Sequence, residues 1–160
     1  MINKYIFVIS VILFAVLSRF LPHPPNFTPI SAIALLSSKG FDNIKVVFLI
    51  PLVSLFISDL FLGLYATLPF VYFSFVLIIL LGRYVNKVNM GTVLISSSIF
   101  FLVSNFGVWL LHYPNTIDGL LQCYKLALPF FLNTILGDLV YGALLIYPFY
   151  VLKKRNLLIV

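Results

Sequence analysis

Glutamate is absent from this chain, and its only acids are four aspartates. Charged residues make up 9% of it, where a water-soluble domain carries about 25%. So few charges cannot clothe a water-facing surface, and the protein is expected to be integral to a membrane. Cysteine is nearly absent as well. Cys123 stands alone, which excludes an internal disulfide and any cysteine-based metal cluster. Its default role is packing, and a soft ligand to a metal-bearing substrate is the sharper alternative. The motifs H-E-x-x-H, G-x-S-x-G, Walker A and C-x-x-C are all missing, which makes a membrane enzyme the weakest of the functional classes. His23 and His112 share no helix face, so they do not suggest a metal site, and no cofactor is implied.

What is present is apolar. The chain is 62% hydrophobic with a mean hydropathy of +1.17, and its 160 residues suit a single transmembrane domain over 1–160. A net charge of +6 could suggest nucleic acid, but the ten basic residues lie scattered between apolar runs and form no basic face. In a membrane protein that excess reports topology instead. The first apolar run has no A-x-A pattern after it, so it reads as an uncleaved helix rather than a signal peptide.

One stretch interrupts the apolar sequence, running from Arg19 through Pro22-His23-Pro24-Pro25-Asn26-Phe27-Thr28 to Pro29. Prolines lack an N–H and clash with the preceding turn, so this run cannot be helix interior. It is expected to be extended and polyproline-like, carrying a guanidinium, an imidazole, a carboxamide and a hydroxyl. We read it as the rim and wall of a small-molecule site.

Cutting the apolar runs at charges and Pro/Gly clusters gives segments 4–21, 29–38, 46–64, 68–82, 91–111 and 127–151. Five approach the ~20 residues that a membrane-spanning helix needs, and 29–38 has about half that. With six crossings, Lys4, Lys39, Lys45, Arg83, Lys87, Lys153, Lys154 and Arg155 share one side and only Arg19 and Lys125 the other. Five crossings would split the basic residues, so the positive-inside rule selects six, with both termini cytoplasmic. The fold class is therefore all-α, an integral membrane bundle of six transmembrane helices. Its second crossing is short: about 15 Å of helix joined to about 19 Å of extended chain from Pro24 to Pro29. Broken crossings of this kind build binding sites in transporters.

Polar residues inside the apolar segments mark the candidate site. A carboxylate in mid-bilayer costs at least ~2.5 kcal/mol, so Asp59 and Asp138 should face the interior and find partners. Arg19 ends the first segment on the side where Asp59 ends the third, and the two are expected to pair. Ser98, Phe101, Asn105, Trp109 and His112 follow 3–4 spacing and define one face of the fifth segment. Thr134, Asp138 and Tyr141 do the same in the sixth, with Asn133 beside them. The candidate ligand-binding set is Arg19, His23, Asn26, Thr28, Asp59, Asn105, Trp109, His112, Tyr113, Asn133, Asp138 and Tyr141. Trp109 and Tyr113 also suit an interfacial belt, and the asparagines could be satisfied between helices. Residues 112–125 form the longest outer loop, capped at Asn115-Thr116 and carrying a short amphipathic helix, and could lid the pocket. Small residues at Ser96–Ser98, Gly107 and Gly137 would permit close helix packing. A D-L-x-x-G pattern at Asp59–Gly63 recurs at Asp138–Gly142, each following a proline (Pro51, Pro129) that begins its helix. It suggests a 3+3 repeat.

These residues also carry a resemblance. The string Ser18–Pro29, with Ser58-Asp59-Leu60, Asn105-Phe106-Gly107-Val108-Trp109, Tyr113-Pro114, Phe131-Leu132-Asn133-Thr134 and Gly137-Asp138, resembles an uncharacterised family of small bacterial membrane proteins. Those proteins are similar to the substrate-binding S-components of energy-coupling-factor vitamin transporters. The resemblance implies an outward-opening site for a vitamin or similar micronutrient, and docking onto a transmembrane coupling subunit driven by paired ATPases. One feature departs from it: the first helix has Ala15 but no alanine four residues to either side, where S-components commonly carry an alanine-x-x-x-alanine docking pattern. A structural or assembly subunit, whose aspartates only lock helices, is the reading from a different class.

Overall fold

The computed structural model describes residues 4–154, so Arg155 of the basic set lies outside the described residues. Among them are six helices and no strands. They are α1 (Lys4–Phe20), α2 (Ile30–Gly40), α3 (Ile44–Leu62), α4 (Leu68–Tyr84), α5 (Met90–His112) and α6 (Ile117–Lys154). Local chemistry sets several of the ends. Asn43 accepts a bond from the Lys45 amide at 2.9 Å at the start of α3. Asn89 and Thr92 close a reciprocal capping box on α5. Gly63 leaves α3 at φ 112°, a region that side chains with a Cβ avoid.

The second helix is the axle of the bundle. Every residue from Ile30 to Ser38 is buried. Around it α1 packs on α3, α3 on α4, α4 on α5 and α5 on α6, while among the described residues α6 and α1 make no close backbone approach. The result is a ring of five helices around α2, open on one side. Small residues let the ring close in: a Cβ on Gly82 would strike the Ser38 hydroxyl of α2. Large apolar side chains point outward, among them Ile9, Leu13 and Leu17 of α1 and Leu132, Leu136 and Leu144 of α6. Three helices, Ile44–Leu62, Met90–His112 and the Ile117–Val151 part of α6, are long and apolar enough to cross a membrane.

Three expectations need correction. The Pro-rich stretch is not a straight polyproline rod. Phe27 N–H bonds the Pro24 carbonyl at 3.1 Å, and Asn26 sits at φ 66°. That is a turn with proline second and a left-handed residue third, the combination that Pro25-Asn26 favours. The stretch therefore turns once on its way in, and it still forms the non-helical part of the second crossing: Phe27 lies against Gly137, near the middle of α6, just before α2 begins. Second, residues 117–125 are no loop or separate helix, because α6 runs unbroken through Pro129 and Pro148. The Thr116 hydroxyl does accept the Gly119 amide at 3.1 Å, as a cap would. The loop before it is only residues 113–116, too short to serve as a lid. Third, Pro51 and Pro129 lie inside α3 and α6 and begin neither. Each removes one backbone bond, a local loss that apolar helix on both sides outweighs.

Candidate ligand-binding cavity

A cavity of about 280 Å³ opens at the end of the bundle where α1, α3 and α5 finish and α2, α4 and α6 are entered. Arg19 reaches it from the last turn of α1, and His23, Asn26 and Thr28 from the Pro-rich cap. Ser31 opens α2 onto it, Tyr65 and Thr67 face it from the α3–α4 loop, and Ser104, Asn105 and Thr134 from α5 and α6. The rings of Phe75, Phe100, Phe101 and Phe130 complete the wall. The opposite end gathers basic side chains: Lys39 Nζ lies 3.4 Å from the Arg83 carbonyl, Arg83 Nη2 donates to the Asp42 carbonyl at 3.0 Å, and Lys87 lies 5.2 Å from the centre of the Tyr150 ring.

The cavity rests on an ion pair. Arg19 Nη1 lies 2.7 Å from Asp59 Oδ1, with Asp59 only 1% exposed. The same nitrogen donates to the Ser58 hydroxyl and to the Leu55 carbonyl, the latter at 3.3 Å. Tyr72 OH of α4 donates to Asp59 Oδ2 at 2.9 Å. Three helices thus meet on one carboxylate, and its negative charge balances the guanidinium. Burial and then the Asp59 charge raise the Tyr65 phenol above its ordinary value, with Arg19 offsetting part of this, so Tyr65 offers the cavity a hydroxyl.

The second deep aspartate lies behind the wall. Asp138 is 1% exposed and accepts from Ser97 Oγ of α5 at 2.6 Å and from Ser31 of α2. It reaches the cavity only through Ser31, which lines it. Its neighbour Gly137 seats the cap: a Cβ there would lie 2.9 Å from the Phe27 Cα. Phe27 also meets the Tyr141 ring edge-on at 5.7 Å. Gly137 thus makes room for the Pro-rich segment and not for another helix, whereas Gly107 makes room for the Phe70 ring of α4.

Of the candidate residues, the cavity brings together Arg19, His23, Asn26, Thr28 and Asn105, with Asp59 directly beneath Arg19. Asp138 and Tyr141 support it from behind. Trp109, His112, Tyr113 and Asn133 are not part of its lining. Trp109 Nε1 donates instead to the Pro114 carbonyl at 3.1 Å, and His112 is exposed at the helix end. The cavity-facing stripe of α5 is Phe100, Phe101, Ser104, Asn105 and Val108; it shares Phe101 and Asn105 with the expected stripe and leaves Ser98, Trp109 and His112 off the cavity, a turn of less than the ~100° of one residue. Ser31, Tyr65, Thr67, Ser104 and Thr134 also belong to the lining. A serine or threonine in an apolar helix reads equally well as a packing residue, and only the adjacent Asn105 pointed to Ser104. Cys123 is not in the lining and points its thiol at the Asn105 carbonyl, 3.5 Å away. Among the described residues, no three His, Cys, Asp or Glu side chains converge as a metal site.

No curated protein and no solved structure matches the chain. A family described only as being of unknown function, DUF6580, matches residues 1–158, and the protein belongs to that family.

Proposed function

We propose that this is a six-pass protein of the bacterial inner membrane, with cytoplasmic termini, that captures a micronutrient from the outer side for uptake. The observation that carries this reading is the polar-walled cavity of about 280 Å³ at the end of the bundle opposite the basic side chains. Positive charge marks the cytoplasmic side, so the cavity then faces outward. Polar groups at the mouth of an apolar bundle need a reason to be there, and a ligand supplies one. In this account the ligand enters at the outer end, the Pro-rich cap covers it, and the occupied subunit reorients. In this reading the chain works as an S-component would, with a separate coupling subunit and its ATPases driving the step, since it carries no Walker motif of its own.

The test is thermal unfolding of the detergent-purified protein against a panel of vitamins and related micronutrients. A ligand at a hundred times its Kd should stabilise the protein by about 2.7 kcal/mol. A panel without effect, together with stoichiometric recovery in a larger membrane complex, would favour a structural subunit. That second reading has its own support in the open side of the ring. There Phe7, Phe14, Ile33, Leu36, Leu144 and Phe149 line an apolar groove between α1 and α6.

A further inference from the structure

We infer that the cavity takes an uncharged, planar heterocycle with a carbonyl-type acceptor on one edge and N–H donors on the opposite edge. This rests on the ligand-binding reading above and specifies its chemistry. The walls of the cavity differ in hydrogen-bonding sign. On the α1/α3 side Arg19 spends Nη1 on Asp59, Ser58 and the Leu55 carbonyl. Its Nη2 and Nε have no partner among the described residues, so donors face the cavity there, and the Tyr65 hydroxyl lies on the same side.

The α5/α6 wall presents acceptors. Ser104 Oγ donates to the Phe100 carbonyl at 2.6 Å, Thr134 Oγ1 to the Phe130 carbonyl at 2.9 Å, and Asn105 Nδ2 to the Phe101 carbonyl at 2.8 Å. Each hydroxyl has one hydrogen, and each has spent it on its own helix. Lone pairs on Ser104, Thr134 and the Asn105 carboxamide oxygen remain. Among the described residues neither α5 nor α6 packs on α1 or α3, so the two walls stand across the cavity from each other.

His23 adds the most specific group. Its Nδ1 lies 2.8 Å from the Pro24 carbonyl, which can only accept, so Nδ1 carries the proton. In the neutral ring Nε2 is then an acceptor. It is sealed from solvent and has no partner in the protein. A buried acceptor left unpaired costs stability until something donates to it. His23 lines the cavity, so a small shift of the Pro-rich segment on ligand entry uncovers Nε2, and the ligand N–H is that donor.

Charge and shape narrow the class. Arg19 is already neutralised by Asp59, so an anion would have to compete for it, and a cation would meet no free acid in the lining. The phenylalanine rings favour a flat ligand. A volume of about 280 Å³ lies just below the roughly 300–1,000 Å³ of drug-sized sites, which suits one or two fused rings without a long tail.

The experiment has two arms on full-length protein in detergent. Mass analysis of small molecules extracted from the wild type should yield a neutral N–H heterocycle. An anion or an acyl-chain lipid in its place would overturn this inference and leave ligand binding standing. The second arm measures binding of lumazine, of 1,3-dimethyllumazine, in which both ring N–H groups are methylated, and of the anionic pterin-6-carboxylate. Lumazine should bind at least about tenfold more tightly than either, and His23→Phe should remove that preference while His23→Asn, which keeps an acceptor, should retain part of it. Equal affinity for lumazine and its dimethyl derivative would overturn the role of His23 and the donor edge. An empty extract with no binding of any probe would overturn both this inference and the reading beneath it.

Discussion

Arg19 Nη1 and Asp59 Oδ1 lie 2.7 Å apart and tie the last turn of α1 to the last turn of α3. The other carboxylate oxygen is held by Tyr72, so the pair also reaches α4. The cavity therefore has its one cation positioned by an acid that is not itself part of the lining. Removing one partner of a buried ion pair costs about 3–5 kcal/mol, because the other charge is stranded. Asp59→Asn should lower unfolding stability in detergent by about 3 kcal/mol. In a cycle, Arg19→Met and Asp59→Leu alone should each cost at least as much, and the two together should recover much of that loss. Additive single effects, with no coupling in the cycle, would contradict the pair.

Asn26 turns the Pro-rich cap through its left-handed conformation at φ 66°. Glycine adopts that region freely and β-branched residues do not. Asn26→Gly should change stability by only a few tenths of a kcal/mol, and Asn26→Val should cost about 1–3 kcal/mol. Equal cost for both substitutions would show that the side chain matters and the turn does not.

Gly137 leaves the cap no slack, since a Cβ there would approach Phe27 Cα to 2.9 Å. Gly137→Leu should destabilise by about 1–3 kcal/mol through overpacking. It should also displace Phe27 from Tyr141 and weaken any ligand held beneath the cap. Unfolding curves and ligand retention read the two effects separately.

The topology can be read by thiol labelling. Asn115 and Asn86 are both exposed, in loops at opposite ends of the bundle. In a Cys123→Ala background, Asn115→Cys should react with a membrane-impermeant maleimide from outside spheroplasts. Asn86→Cys should react only after permeabilisation. The reverse pattern would put the cavity on the cytoplasmic side.

Much of this architecture was legible because bilayer-length apolar runs are cut by charges, prolines and glycines. The pairing of Arg19 with Asp59 was legible too, since alternating helices bring those two segment ends to one side and a buried carboxylate needs a cation. Other features were not. Proline and a polar run at 112–125 look like a break, yet α6 continues because a helix can lose one bond at Pro129 and keep the rest. The turn at Asn26 carried a signal in Pro25-Asn26, which favours proline second and a left-handed residue third, but four closely spaced prolines read more simply as extended chain. The expected α5 stripe matches the cavity at Phe101 and Asn105 but runs on to Ser98, Trp109 and His112 where the cavity takes Phe100, Ser104 and Val108. A turn of less than the ~100° of one residue is enough to move Trp109 and His112 off the cavity.

The most direct test of the account is native mass spectrometry of the wild type beside Ser104→Leu, a substitution that fills the cavity from α5. The account predicts one small molecule bound to the wild type and a folded, empty variant that unfolds at a lower temperature, by about the stabilisation that the lost ligand supplied. Two empty proteins of equal stability, or the same adduct on both, would contradict it.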